Sequence, residues 1–171
     1  LPGGRRDRPS TAAAGGRHPL WIAGGGEQVT LKIAAKYAQY TNFIANTEGF
    51  ARKSEILKGH CDTVGTDFDK IVRSANFNVF IGETEADVQK RLDAVKARME
   101  PYVGAEKAEG SIASWTLNGD SPTVGTPAQI VEKLGRFRDL GLSYGIFNFA
   151  DSAYDQSGIE LFEREVVPAL R

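Results

Sequence analysis

The chain has 171 residues, 41% hydrophobic and 25% charged, which is ordinary globular composition at about one domain's length. Its formal net charge of −1 supplies no basic field for nucleic acid, and no apolar run approaches the roughly 20 residues of a membrane span. A single cysteine, Cys61, excludes an internal disulfide, fits a reducing, cytoplasmic setting and, with only two histidines, argues against a metal site.

The first residues, "LPGGRRDRPSTAAAGGRH", show no periodicity, and the only methionine is Met99. Residues 1–18 are therefore expected to be a disordered or non-native leader, with residues 19–171 forming the folded unit. Folded structure is expected to begin with an apolar strand near 20–23 that runs into Gly24, Gly25 and Gly26. After the glycines, Val29, Ile33 and Tyr37 recur every four residues, flanked by Leu31, Ala34 and Ala38, and predict a helix starting near Glu27 with that face buried. "YTNFI", residues 40–44, has strand composition. Residues 47–64 read as a helix burying Phe50, Leu57, Cys61 and Val64, stopped by Gly65.

Residues 71–81 alternate as a strand, with Ile71, Ala75, Phe77, Val79 and Ile81 on one face and Val72, Ser74, Asn76, Asn78 and Phe80 on the other. Thr84 to Asp87 resembles a capping box, and Val88, Leu92, Val95, Met99 and Tyr102 continue an amphipathic helix that should stop near Pro101. Residues 103–123 read as a connection containing Trp115. Thr126 then caps a helix with Pro127 at its first position and Gln129 completing the box; Ile130, Leu134 and Phe137 are its buried stripe, and Gly141 its stop. "SYGIFNFA" is a last strand, near 144–149, and a final helix should bury Ile159, Phe162, Val166 and Leu170.

This order is strand–helix four times, which argues parallel strands with right-handed crossovers. Four such units are half of a (β/α)8 barrel; a small doubly wound sheet is the competing architecture. The polar row Ser74, Asn76, Asn78 suits a barrel lumen better than a sheet face covered by helices.

For chemistry, the glycine turn is the foremost feature. Glycines between a strand and a helix let the backbone approach a ligand, and unpaired N–H groups at the helix start favour an anion such as phosphate. A tight turn without a ligand is the equal alternative on physics alone. Neither a dinucleotide fingerprint nor a P-loop is present, which disfavours a nucleotide-binding doubly wound domain. Gln28 can donate to a phosphate or face solvent. Asn42, Asn76, Asn78 and Asn148 lie in or near strands, where a satisfied interior amide is the plainer reading. His60 reads as a surface residue, His18 has no evident partner, Cys61 reads as a small apolar group, and Asp151 and Asp155 read as a solvated loop. No Ser-His-Asp or Cys-His constellation is visible.

"PLWIAGGGEQVTLKIAAKYAQYTNF", "GETEADVQKRL" and "VGTPAQIVEKLGRFRDLGLSYGIFNF" resemble the C-terminal half of luciferase-like flavin or deazaflavin oxidoreductases, most of all the coenzyme F420-dependent class. The resemblance implies a (β/α)8 barrel with only the C-terminal half, about four β/α units, present. It implies F420 or, alternatively, FMN at the strand C-terminal ends, with the glycine loop helping to hold the cofactor phosphate. Gly24, Gly25 and Gly26 carry that role over, and Gln28 and Asn42 complete the candidate cofactor-binding set. The implied reaction is hydride transfer between F420 and an organic substrate, or FMN-dependent monooxygenation. The family's usual catalytic side chain lies in the other barrel half, so no catalytic residue is assigned and the isolated half is expected to be inactive. The expected partners are the cofactor, a small organic substrate, and either a second copy or the missing half barrel. The alternative is a non-catalytic half-barrel remnant that self-associates without cofactor.

Overall fold

A computed structural model describes residues 18–171; the expected leader, apart from His18, lies outside the described residues. Four strands, β1 (Trp21–Ala23), β2 (Tyr40–Asn42), β3 (Val72–Asn78) and a later β6 (Tyr144–Asn148), pair in that order, all parallel. Helices α1 (Thr30–Tyr37) and α2 (Thr47–Val64) make the first two crossovers. This is the half-barrel arrangement that the alternation predicts, and β1 and β6 are its edges.

The third crossover is longer than its sequence suggests. Beyond β3, Phe80–Ile81 forms β4, which pairs in parallel with β5 (Val124–Gly125) in a second, two-stranded sheet. Between them lie α3 (Glu85–Val103) and α4 (Ala105–Trp115). The helix that covers β3 is therefore not α3 but α5 (Pro127–Asp139), whose Ile130, Leu134 and Phe137 join Ala75 and Phe77 in the main core. Phe80, on the polar face of the predicted strand, is buried because β4 turns it onto Val88 and Val95 of α3. The stretch 103–123, expected to be a connection, holds α4. Its helical signal is the spacing Ala108, Ile112, Trp115, of which Ala108 is fully buried.

Helix boundaries follow local chemistry. Gly65 ends α2 at φ 74°. At α3, the Thr84 hydroxyl accepts from the Asp87 N–H at 3.2 Å, and Asp87 accepts from the Thr84 N–H at 3.1 Å. The Thr84 hydroxyl also donates to the Asp87 carboxylate at 2.7 Å, and this bond, with the one from the Thr84 N–H, holds the Asp87 carboxyl below its ordinary pKa. The sign follows: this cap is complete above the unfolded carboxylate pKa and is lost as pH falls through the depressed folded value. Acid titration followed by NMR should show α3 amides near Thr84 responding at lower pH than a free aspartate would. Pro101 does not stop α3, which continues to Val103 and ends at Gly104 with φ 83°. At α5, Gln129 reaches back to the Thr126 N–H at 2.9 Å. Past its end, Arg73 donates to the Leu140 carbonyl at 2.8 Å, placing a cation at the negative helix terminus.

In α1 the buried face is Leu31, Ala34, Ala35 and Ala38, whereas Val29, Ile33 and Tyr37 are exposed. The alanines bring α1 close to α2, where they meet Leu57, Cys61 and Ile71. The larger side chains lie on the opposite stripe. The last helix is α6 (Ser157–Leu161), continued by a π-turn segment over Phe162–Val166. That extra residue per turn puts Leu161, Phe162 and Val166 inward and leaves Ile159 and Leu170 only partly buried. Cys61 is fully buried, and burial pushes its thiol pKa up. It should therefore react with a thiol reagent only at the rate of global or local opening, a rate that added urea raises.

Candidate cofactor site

The glycine loop sits at the C-terminal end of β1, stitched to the neighbouring strand by the Gly24 N–H, which donates to the Asn42 carbonyl at 2.8 Å. Left-handed backbone is required at Gly24, with φ 115°. Gly25 and Gly26 are needed for space instead. A Cβ on Gly25 would collide with the Lys53 ammonium, and one on Gly26 would lie 2.9 Å from the Thr30 hydroxyl. The helix starts later than the sequence suggests: Glu27 to Val29 form a turn, and α1 begins at Thr30.

Among the described residues the backbone N–H groups of Gly25, Gly26, Glu27 and Gln28 donate to nothing. The Glu27 carboxylate, the one negative charge in the loop, is turned aside to Arg52 at 2.7 Å. His60, which the sequence suggests is a surface residue, is half-buried, with Nε2 2.8 Å from the Glu27 carbonyl. α2 thus contributes three basic side chains to the loop: Arg52 neutralises it, His60 tethers it, and Lys53 leans over Gly25 while its ammonium meets the Ile44 carbonyl at 3.4 Å. Arg52 and Lys53 lie one helix turn after Gly49 and His60 two turns further on, but only the fold shows that this face of α2 meets the glycine loop.

The polar row of β3 forms the second part. On the face of the sheet away from the helices, Asn42 donates to the Ser74 hydroxyl and to the Asn76 side-chain oxygen, both at 2.9 Å. The Ser74 hydroxyl in turn donates to the Thr41 carbonyl at 2.8 Å, and Asn148 donates to the Asn78 side-chain oxygen at 2.8 Å. Asn42 and Ser74 are buried; Asn76 and Asn148 are open to a cleft of about 450 Å³. Ser114, Trp115, Leu117 and Ser121 form its far wall, so the α4 excursion overhangs the strand ends. Toward the strand N-terminal ends the same face is aromatic: Trp21 stacks on Tyr40 at 4.9 Å and meets Tyr144 edge-on at 5.3 Å. One face is therefore closed by aromatics at one end and lined with amides at the other.

The structure brings Gly24, Gly25, Gly26 and Asn42 together, through the Gly24–Asn42 backbone bond. Gln28 is exposed beside the loop and bonds to nothing among the described residues. Both amide protons of Asn42 are already donated, leaving its side-chain oxygen as the group it offers. Replacing Asn42 with leucine should lower stability by roughly 1–2 kcal/mol through the two lost bonds, measurable by urea unfolding.

Asp151 and Asp155, expected in a solvated loop, are instead partners of Arg91. The Arg91 guanidinium lies 2.6 Å from Asp151, which is buried, and 3.2 Å from Asp155, and also donates to the Ser157 hydroxyl. This joins α3 to the loop after β6, at the same end of the sheet as the glycines. The bond from the Ser157 hydroxyl and N–H, with Arg91 contributing, holds the Asp155 carboxyl below its ordinary pKa.

No helix among the described residues is long and apolar enough to cross a membrane. Similar folds occur in solved structures. The coenzyme F420-dependent tetrahydromethanopterin reductase from Methanopyrus kandleri superposes with a TM-score of 0.65 at 18% identity, over 90% of this chain and 51% of the reductase. An F420-dependent secondary alcohol dehydrogenase, solved with an F420-acetone adduct, gives 0.66 at 16% identity, over 92% and 50%. The oxygenating constituent of 3,6-diketocamphane monooxygenase from Pseudomonas putida, solved with FMN, gives 0.57 at 14%, over 90% and 49%. The chain spans about half the length of each of these neighbours. No curated protein sequence matches the chain. The sequence profile of the luciferase-like monooxygenases matches residues 3–144, and the chain belongs to that family.

Proposed function

We propose that this chain supplies the C-terminal half of a flavin-class oxidoreductase that uses coenzyme F420, or alternatively FMN, and that Gly24, Gly25 and Gly26 hold the cofactor phosphate. The observation that carries the reading is the loop itself: four consecutive free N–H groups beneath the Lys53 ammonium at a strand C-terminal end. The residues fit an anion, because the Lys53 ammonium and the Thr30 hydroxyl stand where side chains of Gly25 and Gly26 would, and the only loop carboxylate is already paired to Arg52. Gln28 sits at the loop's exposed edge, within the same turn, and can add a side-chain N–H.

When bound, the cofactor ring supplies hydride transfer to or from an organic substrate, or oxygen activation if it is FMN. This chain's own residues bind and orient. The amide row offers acceptors from Asn42 and Asn148 and donors from Asn76 and Asn78, a mixed edge suited to the polar rim of a flavin or deazaflavin ring. The α4 overhang, with Trp115 and Leu117, excludes water from that side of the cleft. No residue here is assigned a proton-transfer role.

The same reading gives the open face a partner. Trp21, Tyr144 and Ile146 are substantially exposed on it, at 43%, 48% and 38%, and β1 and β6 are strand edges. The covering element is a further half barrel, either in the same polypeptide or from a second copy. Fluorescence titration with F420 and with FMN tests the proposal. Saturable binding of one of them supports it. A folded protein that binds neither, but sediments as a concentration-dependent oligomer, contradicts it and matches a non-catalytic half barrel that self-associates.

A further inference from the structure

A second cleft lies on the outer side of the α3–α4 excursion. It holds about 290 Å³ between α3, α4 and the loop after β6, with walls of Met99, Tyr102, Trp115 and Tyr154. Tyr102 and Tyr154 are 89% and 73% exposed, so two large rings stand in solvent at its mouth. The floor is the third apolar cluster, where Val95 is buried and Trp115 and Met99 are partly buried.

Among the described residues one charged side chain borders this groove, and it is a cation. The Arg98 guanidinium lies over the Tyr154 ring at 4.3 Å, and no acid is among the groove's lining residues. Among the described residues the contact that Arg98 makes is this stacking on Tyr154, with no ion pair or hydrogen bond. Asp155 feels its charge, but the Asp155 oxygens are engaged by Arg91 at 3.2 Å and by the Ser157 N–H at 2.9 Å. The arrangement is thus a set of aromatic walls with a free guanidinium at one rim. Its size is near the lower end of small-molecule sites, which are apolar with a few placed polar groups.

We infer that this groove is a binding site for a small aromatic carboxylate, whose ring slots between the Trp115, Tyr102 and Tyr154 side chains while its carboxylate pairs with Arg98. Charge complementarity selects the acid over a neutral arene, because a planar guanidinium takes a carboxylate through two parallel N–H bonds. The aromatic walls select rings over flexible aliphatic acids, since stacked and edge-on pairs add to plain burial. Trp115 also lines the amide cleft. The two sites are therefore separated by one indole. The groove site stands on its own residues, whether or not the cleft takes a flavin-class cofactor.

The experiment is titration of the chain with 2-naphthoate and with 2-naphthalenemethanol, its neutral isostere, followed by calorimetry and by the Trp115 indole N–H signal in NMR. A Trp21→Phe variant assigns that signal. The expected result is that naphthoate shifts the Trp115 signal saturably, and that the alcohol binds roughly ten- to a hundred-fold more weakly. Arg98→Gln should erase the difference between the two ligands, and Tyr154→Ala should weaken both. Arg98 and Tyr154 are surface residues, so both variants should fold. The inference is overturned if the indole signal is unmoved, or if acid and alcohol bind alike to the wild type. It is also overturned if the groove is covered by a second copy, seen as a dimer that Tyr102→Ser dissociates.

Discussion

Replacing Arg91 with alanine is expected to cost the chain about 3 kcal/mol or more of folding stability, because it leaves a buried carboxylate without its counter-ion. The Asp151 side chain is 6% exposed and that of Arg91 14%, with 2.6 Å between the paired atoms. Neither charge has enough water around it to replace the other. Arg91 also donates to Ser157 and packs on Gly158, so its loss frees the start of α6 from α3. Urea unfolding of wild type and Arg91→Ala measures the cost. Adding Asp151→Leu to Arg91→Met should recover most of it, since an apolar pair of similar volume removes the orphaned charge. If Arg91→Ala unfolds within about 0.5 kcal/mol of wild type, the pair behaves as a surface contact and the α3 excursion is held by its apolar cluster alone.

Gly25→Val is expected to weaken cofactor binding roughly ten- to a hundred-fold while lowering stability much less. The reason is steric and electrostatic together. A Cβ at Gly25 occupies the space of the Lys53 ammonium, so the mutation displaces a cation and screens the free N–H groups of the loop. Gly25 itself does not need positive φ; Gly24 does, at 115°. Valine at Gly25 should therefore be tolerated by the fold, whereas Gly24→Val would strain it as well. Calorimetric titration with F420 or FMN beside a thermal melt separates these effects. Affinity preserved with a lowered melting temperature would make the glycines turn residues and place the phosphate elsewhere.

Much of the architecture is legible in the sequence because it is written in local periodicity and caps. The span of α2, its glycine stop, both capping boxes and the parallel order of the four main strands all follow from spacing and turn chemistry. The misreadings have a common cause: hydrophobicity does not say which apolar surface is the inner one. In α1 the larger residues Val29, Ile33 and Tyr37 suggest the core, yet the alanines occupy it, since close helix contact rewards small side chains. In α4 a run of Ala, Glu, Gly and Ser hides a helix whose one fully buried residue is the small Ala108, with Ile112 and Trp115 packed only partly. In the candidate site the glycines and the polar row announce themselves, but their surroundings do not. Lys53 and His60 reach the loop from 28 and 33 residues away through packing of α2 against α1, and Arg91 meets Asp151 across 60 residues. Such partners are set by topology, which no short window of sequence contains.

If the glycine loop, under Lys53, receives the phosphate of a flavin-class cofactor, its own amides must respond to that cofactor. The most direct measurement is the backbone amide NMR signals of Gly25, Gly26, Glu27 and Gln28 during titration with F420 and with FMN, on wild type and on Lys53→Gln. One of the two cofactors should saturably shift these amides downfield, as charge-assisted donation to a phosphate does, and Lys53→Gln should weaken that binding roughly ten-fold or more. Binding that moves the Asn76, Asn78 and Asn148 side-chain amides while leaving the loop amides and the Lys53→Gln affinity unchanged would contradict it.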